Sequence, residues 1–249
     1  VTYLILFLAS LWAGAQNALA GGGSFITLPS LMLTGMDARA ANITSTVALF
    51  PGQIATGWTG RAYVAGAAGL SLRALGLISL IGGALGAVLL LITPSSFFAR
   101  LVPYLVLFAT SVFAWGSFVR RADSAGRLGR TGTTLAQLLI AVYGGYFGGG
   151  IGFLMLAALT AAGMAIRHAG ATKNVLAAVM NASAVAVFLF SPQVHWRQAA
   201  ITGAGAIIGG LIGSHLLRTI NERALRIIIV LIGLALTIGL LRAGSGGTA

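Results

Sequence analysis

Apolar positions in this chain run on for about twenty residues before a charge or a short polar loop interrupts them, the length a helix needs to cross a bilayer core of about 30 Å. Six such runs stand out: Ala40–Gly60, Ala74–Ala99 (trimmed by Pro94), Leu101–Val119, Asn174–Val194, Gln198–Leu217 and Ile227–Leu241. Most of the interruptions are short loops, which predicts antiparallel neighbours. A polar linker, Arg120 to Arg130, separates the first three runs from the last three.

Two further runs do not fit this scheme. Val1–Met36 and Thr131–Ile166 are each thirty-six residues without a charge, too long for one crossing and short for two with a turn. Each is interrupted by glycine, Gly21-Gly22-Gly23 in one and Gly148-Gly149-Gly150 in the other. Three glycines are not ordinary helix interior, since each costs about 1 kcal/mol relative to alanine. Split there, each run reads as a hairpin of partial helices with a glycine-rich tip inside the membrane. The pattern does not separate a re-entrant hairpin from two full crossings.

The two halves are repeats. At an offset of 128, residues 22–47 match 150–175 at ten of twenty-six positions, where chance in so apolar a chain gives about three. The matches include Gly22/Gly150, Phe25/Phe153, Gly35/Gly163, Arg39/Arg167 and Thr44/Thr172. Farther on, Ile81-Gly82-Gly83-x-x-Gly86 corresponds to Ile208-Gly209-Gly210-x-x-Gly213.

Composition changes the class more than the chemistry. Of 249 residues 58% are hydrophobic and 7% charged, with mean hydropathy +0.98, whereas a soluble domain carries about 25% charge. The chain reads as an all-α polytopic membrane protein. Its net charge of +12 sits between apolar runs, where it sets topology at anionic lipid and does not point to nucleic acid. With the linker in the cytoplasm and about five membrane segments per half, eleven of the fifteen Lys and Arg fall inside. Four segments per half give eight against seven. The count favours inverted repeats: 1–120 as the N-terminal repeat, 121–130 as a cytoplasmic linker and 131–242 as the C-terminal repeat. Nothing at the start has the basic region of a cleavable signal peptide, and without cysteine there are no disulfides, thiolate metal sites or thiol nucleophile.

Inverted repeats with interrupted helices at matching positions are a plan of secondary transporters, which bind substrate near the midplane between the repeats. A helix that starts after a glycine tip has unpaired N–H groups and about half a positive charge. In hydrocarbon those donors need an acceptor; an anion supplies one, and glycine lets it come close. The candidate substrate-binding residues are therefore Gly22, Gly23 and Ser24 at one tip and Gly149, Gly150 and Gly152 at the other. Thr44, Ser45 and Thr46, with Thr172, Lys173 and Asn174, form a matching polar pair of clusters, read either as helix N-caps or as anion ligands. Lys173 stands opposite Ser45 and reads either as a ligand or as a cation at the cytoplasmic end. Gln53 and Asn181 align deeper in each half, where amides bind substrate or bridge helices. Gly82/Gly86, Gly205/Gly209 and Gly209/Gly213 have the spacing of small residues that pack helices closely.

Asp37, Asp123 and Glu222 are the only acids, and all fall in loops or at span ends, so a buried carboxylate relay is not expected. His168, His195 and His215 read as interfacial. The motifs of metalloproteases, P-loop ATPases and nucleophile-elbow hydrolases are missing, so no enzymatic activity, catalytic residue, metal or cofactor is expected.

These residues resemble a known family. Gly21-Gly22-Gly23-Ser24-Phe25-Ile26-Thr27-Leu28-Pro29, with Ala41-x-x-Thr44-Ser45, is similar to the first repeat of the TauE/SafE sulfite exporter family. Tyr143-Gly144-Gly145-Tyr146-Phe147-Gly148-Gly149-Gly150-Ile151-Gly152, with Ala171-Thr172-Lys173-Asn174, is similar to the second, although Ala157 stands where the first repeat has Pro29. The resemblance implies multi-pass insertion in a bacterial inner membrane and export of sulfite, sulfoacetate or a related organosulfonate. The expected function is thus export of a small sulfur-containing anion by alternating access, the alternatives being an anion channel and a non-transporting assembly or accessory protein. The expected partners are the anion and membrane lipids, with no nucleic acid; a homodimer and the coupling ion are left open.

Overall fold

The computed structural model describes residues 2–19, 22–59, 61–115, 128–216 and 222–245. Gly21, Arg120 to Arg127 and Arg218 lie outside these, as do the side chains of His215, Glu222, Arg223 and Arg226. Among the described residues the fold is all-helical. The first half holds α1 (Thr2–Leu19), α2 (Ser24–Met32), α3 (Ala38–Thr59), α4 (Leu72–Ile92) and α5 (Ser95–Ala114). The second holds α6 (Arg130–Tyr146), α7 (Ile151–Ala161), α8 (Ile166–Phe188), α9 (Trp196–Leu216) and α10 (Glu222–Ser245).

By length and composition α4, α5 and α8 can each cross a membrane. The outward faces are apolar: Leu77, Ile81, Leu85 and Ile92 on α4, and Leu231, Leu234 and Ile238 on α10, are exposed. The interior holds buried Ser10, Gln16, Asn42, Thr44, Gln137 and Asn181. A chain with apolar residues outside and hydrogen-bonded polar residues between helices is suited to lipid, where polar groups must find partners within the protein. Gln137 Nε2, for example, donates to Ser79 Oγ at 2.8 Å across α6 and α4.

Helix ends follow local chemistry. Asp37 Oδ1 accepts from the N–H groups of Arg39 and Ala40 at 3.0 and 3.1 Å, so α3 starts there. Thr44–Thr46 therefore lie well inside α3, and Thr172–Asn174 well inside α8, which begins at Ile166 and not at the expected Asn174. Neither cluster is a helix cap. Ser71 Oγ caps α4 by accepting from Ala74 N–H at 3.2 Å.

Most of the packing follows one exchange rule. Swapping α1–α5 for α6–α10 turns the α1–α9 contact into α6–α4, α3–α9 into α8–α4 and α2–α10 into α7–α5. The pairs α3–α8 and α5–α10 map onto themselves. The aligned glycines share their backbone conformation: Gly22 and Gly150 have φ of 84° and 76°, Gly35 and Gly163 of 92° and 91°. On α3, Gln53 meets Asn181 of α8, and Gly57 faces Asn174 and Ala178, so these two matched helices run antiparallel.

The strongest contacts join the halves through glycine. A Cβ on Gly86 would overlap the Val142 carbonyl and stand 2.7 Å from Tyr146 N; one on Gly145 would overlap Gly83 O. Gly209 and Gly14 do the same between α9 and α1, against Leu11 and Ala206. Gly82, Gly86, Gly205 and Gly209 are thus packing residues, as their spacing suggests. Replacing Gly86 by alanine forces α4 off α6 and should cost about 1–3 kcal/mol, read as a lower unfolding temperature in detergent; an unchanged temperature would refute the close contact.

Candidate functional site

Both glycine tips are left-handed turns pinned by the helix that precedes them. At the first, Gly22 O accepts from Gln16 Nε2 at 3.2 Å and from Phe25 N–H at 3.0 Å. At the second, Tyr143 Oη donates to Gly149 O at 2.9 Å, with Gly148 and Gly150 at φ of 78° and 76°. Phe25, Ile26 and Thr27 N–H already donate to Gly22 O and Gly23 O, and Phe153 and Leu154 N–H to Gly150 O, so the N–H groups of Ser24, Ile151 and Gly152 are the helix-start donors without an acceptor among the described residues. Each helix start also carries the positive end of its dipole.

After the second tip the chain turns back. Leu128 N–H donates to Ala161 O at 2.9 Å, so the end of α7 lies beside the residues that lead into α6.

The two tips meet in one cleft with roughly 500 Å³ of unfilled space, part of it open to the surroundings. The first half contributes Asn17 from the end of α1, Gly22, Ser24 and, from α3, Gln53. The second contributes Gly148, Ile151 and Gly152 at its tip, with Lys173, Asn174 and Ala177 from α8. The lining is therefore a set of amides, a hydroxyl and a cation between two helix starts.

Lys173 gives this site its sign. It is half-buried, and its Nζ stands 3.3 Å from where a Cβ on Gly152 would be, so glycine at that position leaves room for the ammonium. Asp37, the one acid whose side chain is described, is exposed and engaged at the start of α3. Lys173 therefore has no counter-ion among the described side chains. A positive charge in such a place, beside two positive dipole ends, attracts an anion with little screening.

Six of the fourteen expected residues line this cleft: Gly22, Ser24, Gln53, Gly152, Lys173 and Asn174. Gly23, Gly149 and Gly150 shape the tips; a Cβ on Gly23 would stand 2.8 Å from Ala13 O and one on Gly150 2.8 Å from Ala109 Cβ. The other five are not among the lining residues. Ser45 Oγ and Thr27 Oγ1 share a hydrogen bond of 2.6 Å, and Thr46 Oγ1 donates to Asn42 O at 2.9 Å. Asn181, which is buried, donates through Nδ2 to Gln53 Oε1 at 2.6 Å and so stands behind the cleft wall.

Thr44 and Thr172 do the same job at matched positions in opposite halves. Thr172 Oγ1 accepts from Ala65 N–H at 3.1 Å and donates to Ala65 O at 3.3 Å, in the segment leading to α4. Thr44 Oγ1 accepts from His195 N–H at 3.2 Å and donates to Gln193 O at 3.5 Å, in the segment leading to α9. Each ties a helix of one half to a loop of the other. Removing the Thr172 hydroxyl with valine leaves two backbone groups without that partner and is expected to destabilise by about 1–3 kcal/mol while anion affinity stays within about twofold; thermal unfolding and binding titration together read this, and a loss of affinity at full stability would return Thr172 to the site.

Four lining residues, Asn17, Gly148, Ile151 and Ala177, are not among those expected from the sequence, and Asn17 is the one with a polar side chain. Its signal was available: a polar Gln16-Asn17 pair at the end of an apolar run, just before the glycines.

The family described as "Sulfite exporter TauE/SafE" matches residues 6–240. A Sinorhizobium protein named "Probable membrane transporter protein ORF9" is 30% identical over 240 residues, covering 95% of this chain and 91% of its own. A Haemophilus influenzae "Probable membrane transporter protein" is 28% identical over 241 residues, covering 94% and 92%. "Probable membrane transporter protein YfcA" of Escherichia coli K12 is 26% identical over 245 residues, covering 97% and 90%. No solved structure matches the chain.

Proposed function

Because the chain belongs to the sulfite exporter TauE/SafE family, and is a membrane transporter and not an enzyme, we propose that it exports a small sulfur-containing anion. Sulfite, sulfoacetate and related organosulfonates are the substrate class. The observation that carries this reading is the meeting of both glycine tips with Lys173 in one cleft, with no carboxylate among the described side chains to neutralise it. The substrate-binding groups are the N–H groups of Ser24, Ile151 and Gly152, the Ser24 hydroxyl, the amides of Asn17, Gln53 and Asn174, and the Lys173 ammonium. Oxygens of a sulfite or sulfonate accept all of these bonds, and the charge-assisted one to Lys173 is the strongest.

The mechanism is alternating access between two inverted repeats, 1–120 and 131–242. The exchange rule in the packing and the antiparallel course of α3 and α8 support inversion, since matched helices of parallel repeats would run the same way. The α6–α7 unit is a re-entrant hairpin in this scheme, as the Leu128–Ala161 hydrogen bond supports, and α1–α2 is its inverted counterpart. The membrane is the bacterial inner membrane, with the face bearing Arg61, Arg73 and Arg167 in the cytoplasm.

The test is flux into proteoliposomes across sulfite, sulfoacetate, sulfate and taurine, with imposed proton and sodium gradients. Saturable flux with counter-transport is expected for the sulfur anions. Flux that never saturates would make the protein a channel, and no anion flux would end the proposal.

A further inference from the structure

The repeats differ at several matched sites beside the cleft, and one of these differences is directional. One turn beyond the first tip, Thr27 of α2 and Ser45 of α3 join their hydroxyls at 2.6 Å, and both are buried. At the offset of 128 their counterparts are Met155 of α7 and Lys173 of α8, which cannot make such a bond. Met155 is buried in the apolar core, while Lys173 lies in the cleft beside Gly152. The next positions repeat the contrast: Leu49 of α3 is buried, whereas its counterpart Ala177 of α8 is half-buried and lines the cleft.

From these contrasts we propose that the Thr27–Ser45 pair is the closed gate of the cleft on the face where α3 begins. The matched place on the face where α8 begins, where Met155 and Lys173 stand and no such hydroxyl pair forms, is the entrance. The inference rests on the alternating-access reading and adds to it which side is shut, by which atoms. The gate suits its task physically. Two hydroxyls in a dry contact satisfy one another, yet a single net hydrogen bond is worth only about 0.5–1.5 kcal/mol, weak enough to break and reform as the halves move. The thread of contacts is short, since Thr27 Oγ1 also reaches back 3.3 Å to Gly23 O, so opening the gate is linked to the tip that meets the anion. In exporter terms, the structure stands in its loading state, with the cleft reached from the face of Arg61 and Arg167 and barred from that of Arg39.

The absence of native cysteine makes the test direct. Oxygens 2.6 Å apart put the two side chains within reach of a disulfide. With Thr27→Cys and Ser45→Cys together, flux should fall to about a tenth or less under oxidant, since the locked gate removes one of the two states, and return on reduction. Each single substitution should be insensitive to oxidant. A cross-linked protein that transports at its reduced rate would overturn the gate, while saturable flux in the reduced protein shows that the transporter reading stands regardless. Should the double variant not fold, Ala177→Cys serves alone as a probe for a membrane-impermeant thiol reagent. It should be labelled from the Arg167 face only, and adding Thr27→Val should raise labelling from the Arg39 face by about tenfold. Labelling from the Arg39 face before that change, or no rise after it, would equally refute the proposal.

Discussion

Replacing Lys173 by glutamine is expected to weaken anion binding by about tenfold to a hundredfold while leaving the protein as stable as before, or more so. The two effects have opposite signs for one reason. Lys173 is half-buried in the cleft with no described counter-ion, so in the empty protein its charge is a liability. Glutamine removes that liability and keeps a similar length. With the anion bound the same charge becomes a partner, and a hydrogen bond between charged groups is worth about 1.5–3 kcal/mol, or one to two decades in affinity at about 1.4 kcal/mol per decade. Arginine at this position keeps the charge but brings a planar fork against Gly152, which leaves 3.3 Å between a would-be Cβ and Nζ, so it should restore affinity only in part. Titration of sulfite binding, set beside thermal unfolding, reads both quantities. Equal affinity in the parent and Lys173→Gln would take the cation out of the site and leave the helix starts alone to explain anion recognition.

The second large effect is structural. Gly150→Ala should lower stability by about 2–5 kcal/mol, because two costs add. The residue sits at φ 76°, where a side chain costs about 1–2 kcal/mol. Its Cβ would also stand 2.8 Å from Ala109 Cβ on α5, an overpacked contact worth about 1–3 kcal/mol. Gly52→Ala is the matched control. Gly52 lies inside α3 with nothing within 4 Å of a would-be Cβ, so alanine there should be neutral or stabilise by up to about 1 kcal/mol. Unfolding temperatures in detergent should therefore move apart for the two variants, and equal temperatures would mean that the tip is not held in this conformation.

Which parts of the molecule were legible in the sequence depends on whether a residue's role is local. The glycine tips were, because a left-handed turn leaves few choices of residue, and Gly22 and Gly150 occupy such turns. Close helix packing at Gly82 and Gly209 was legible for the same reason. Of the two readings the sequence allows for the polar clusters, the helix cap fails, because polarity inside an apolar run looks like an end although both clusters lie within their helices. Thr44 and Thr172 are polar inside their helices since each holds a loop of the opposite half, 151 and 107 residues away along the chain. No local pattern encodes a partner at that separation. The sequence shows that Ser45 and Lys173 are unlike, but the meaning of the difference lies in Thr27, a residue that only tertiary structure brings beside Ser45.

The exchanged contacts also bear on how the chain reaches this fold. The glycine faces of α4 and α1 are covered by α6 and α9, so each half presents bare backbone until the other has been made. The N-terminal half leaves the ribosome first and must wait in the bilayer, a partly assembled intermediate. Assembly is then a late docking of two inserted halves and not a sequential stacking of helices. A chain severed between α5 and α6 should consequently still assemble when both pieces are made together, and neither piece should persist when made alone.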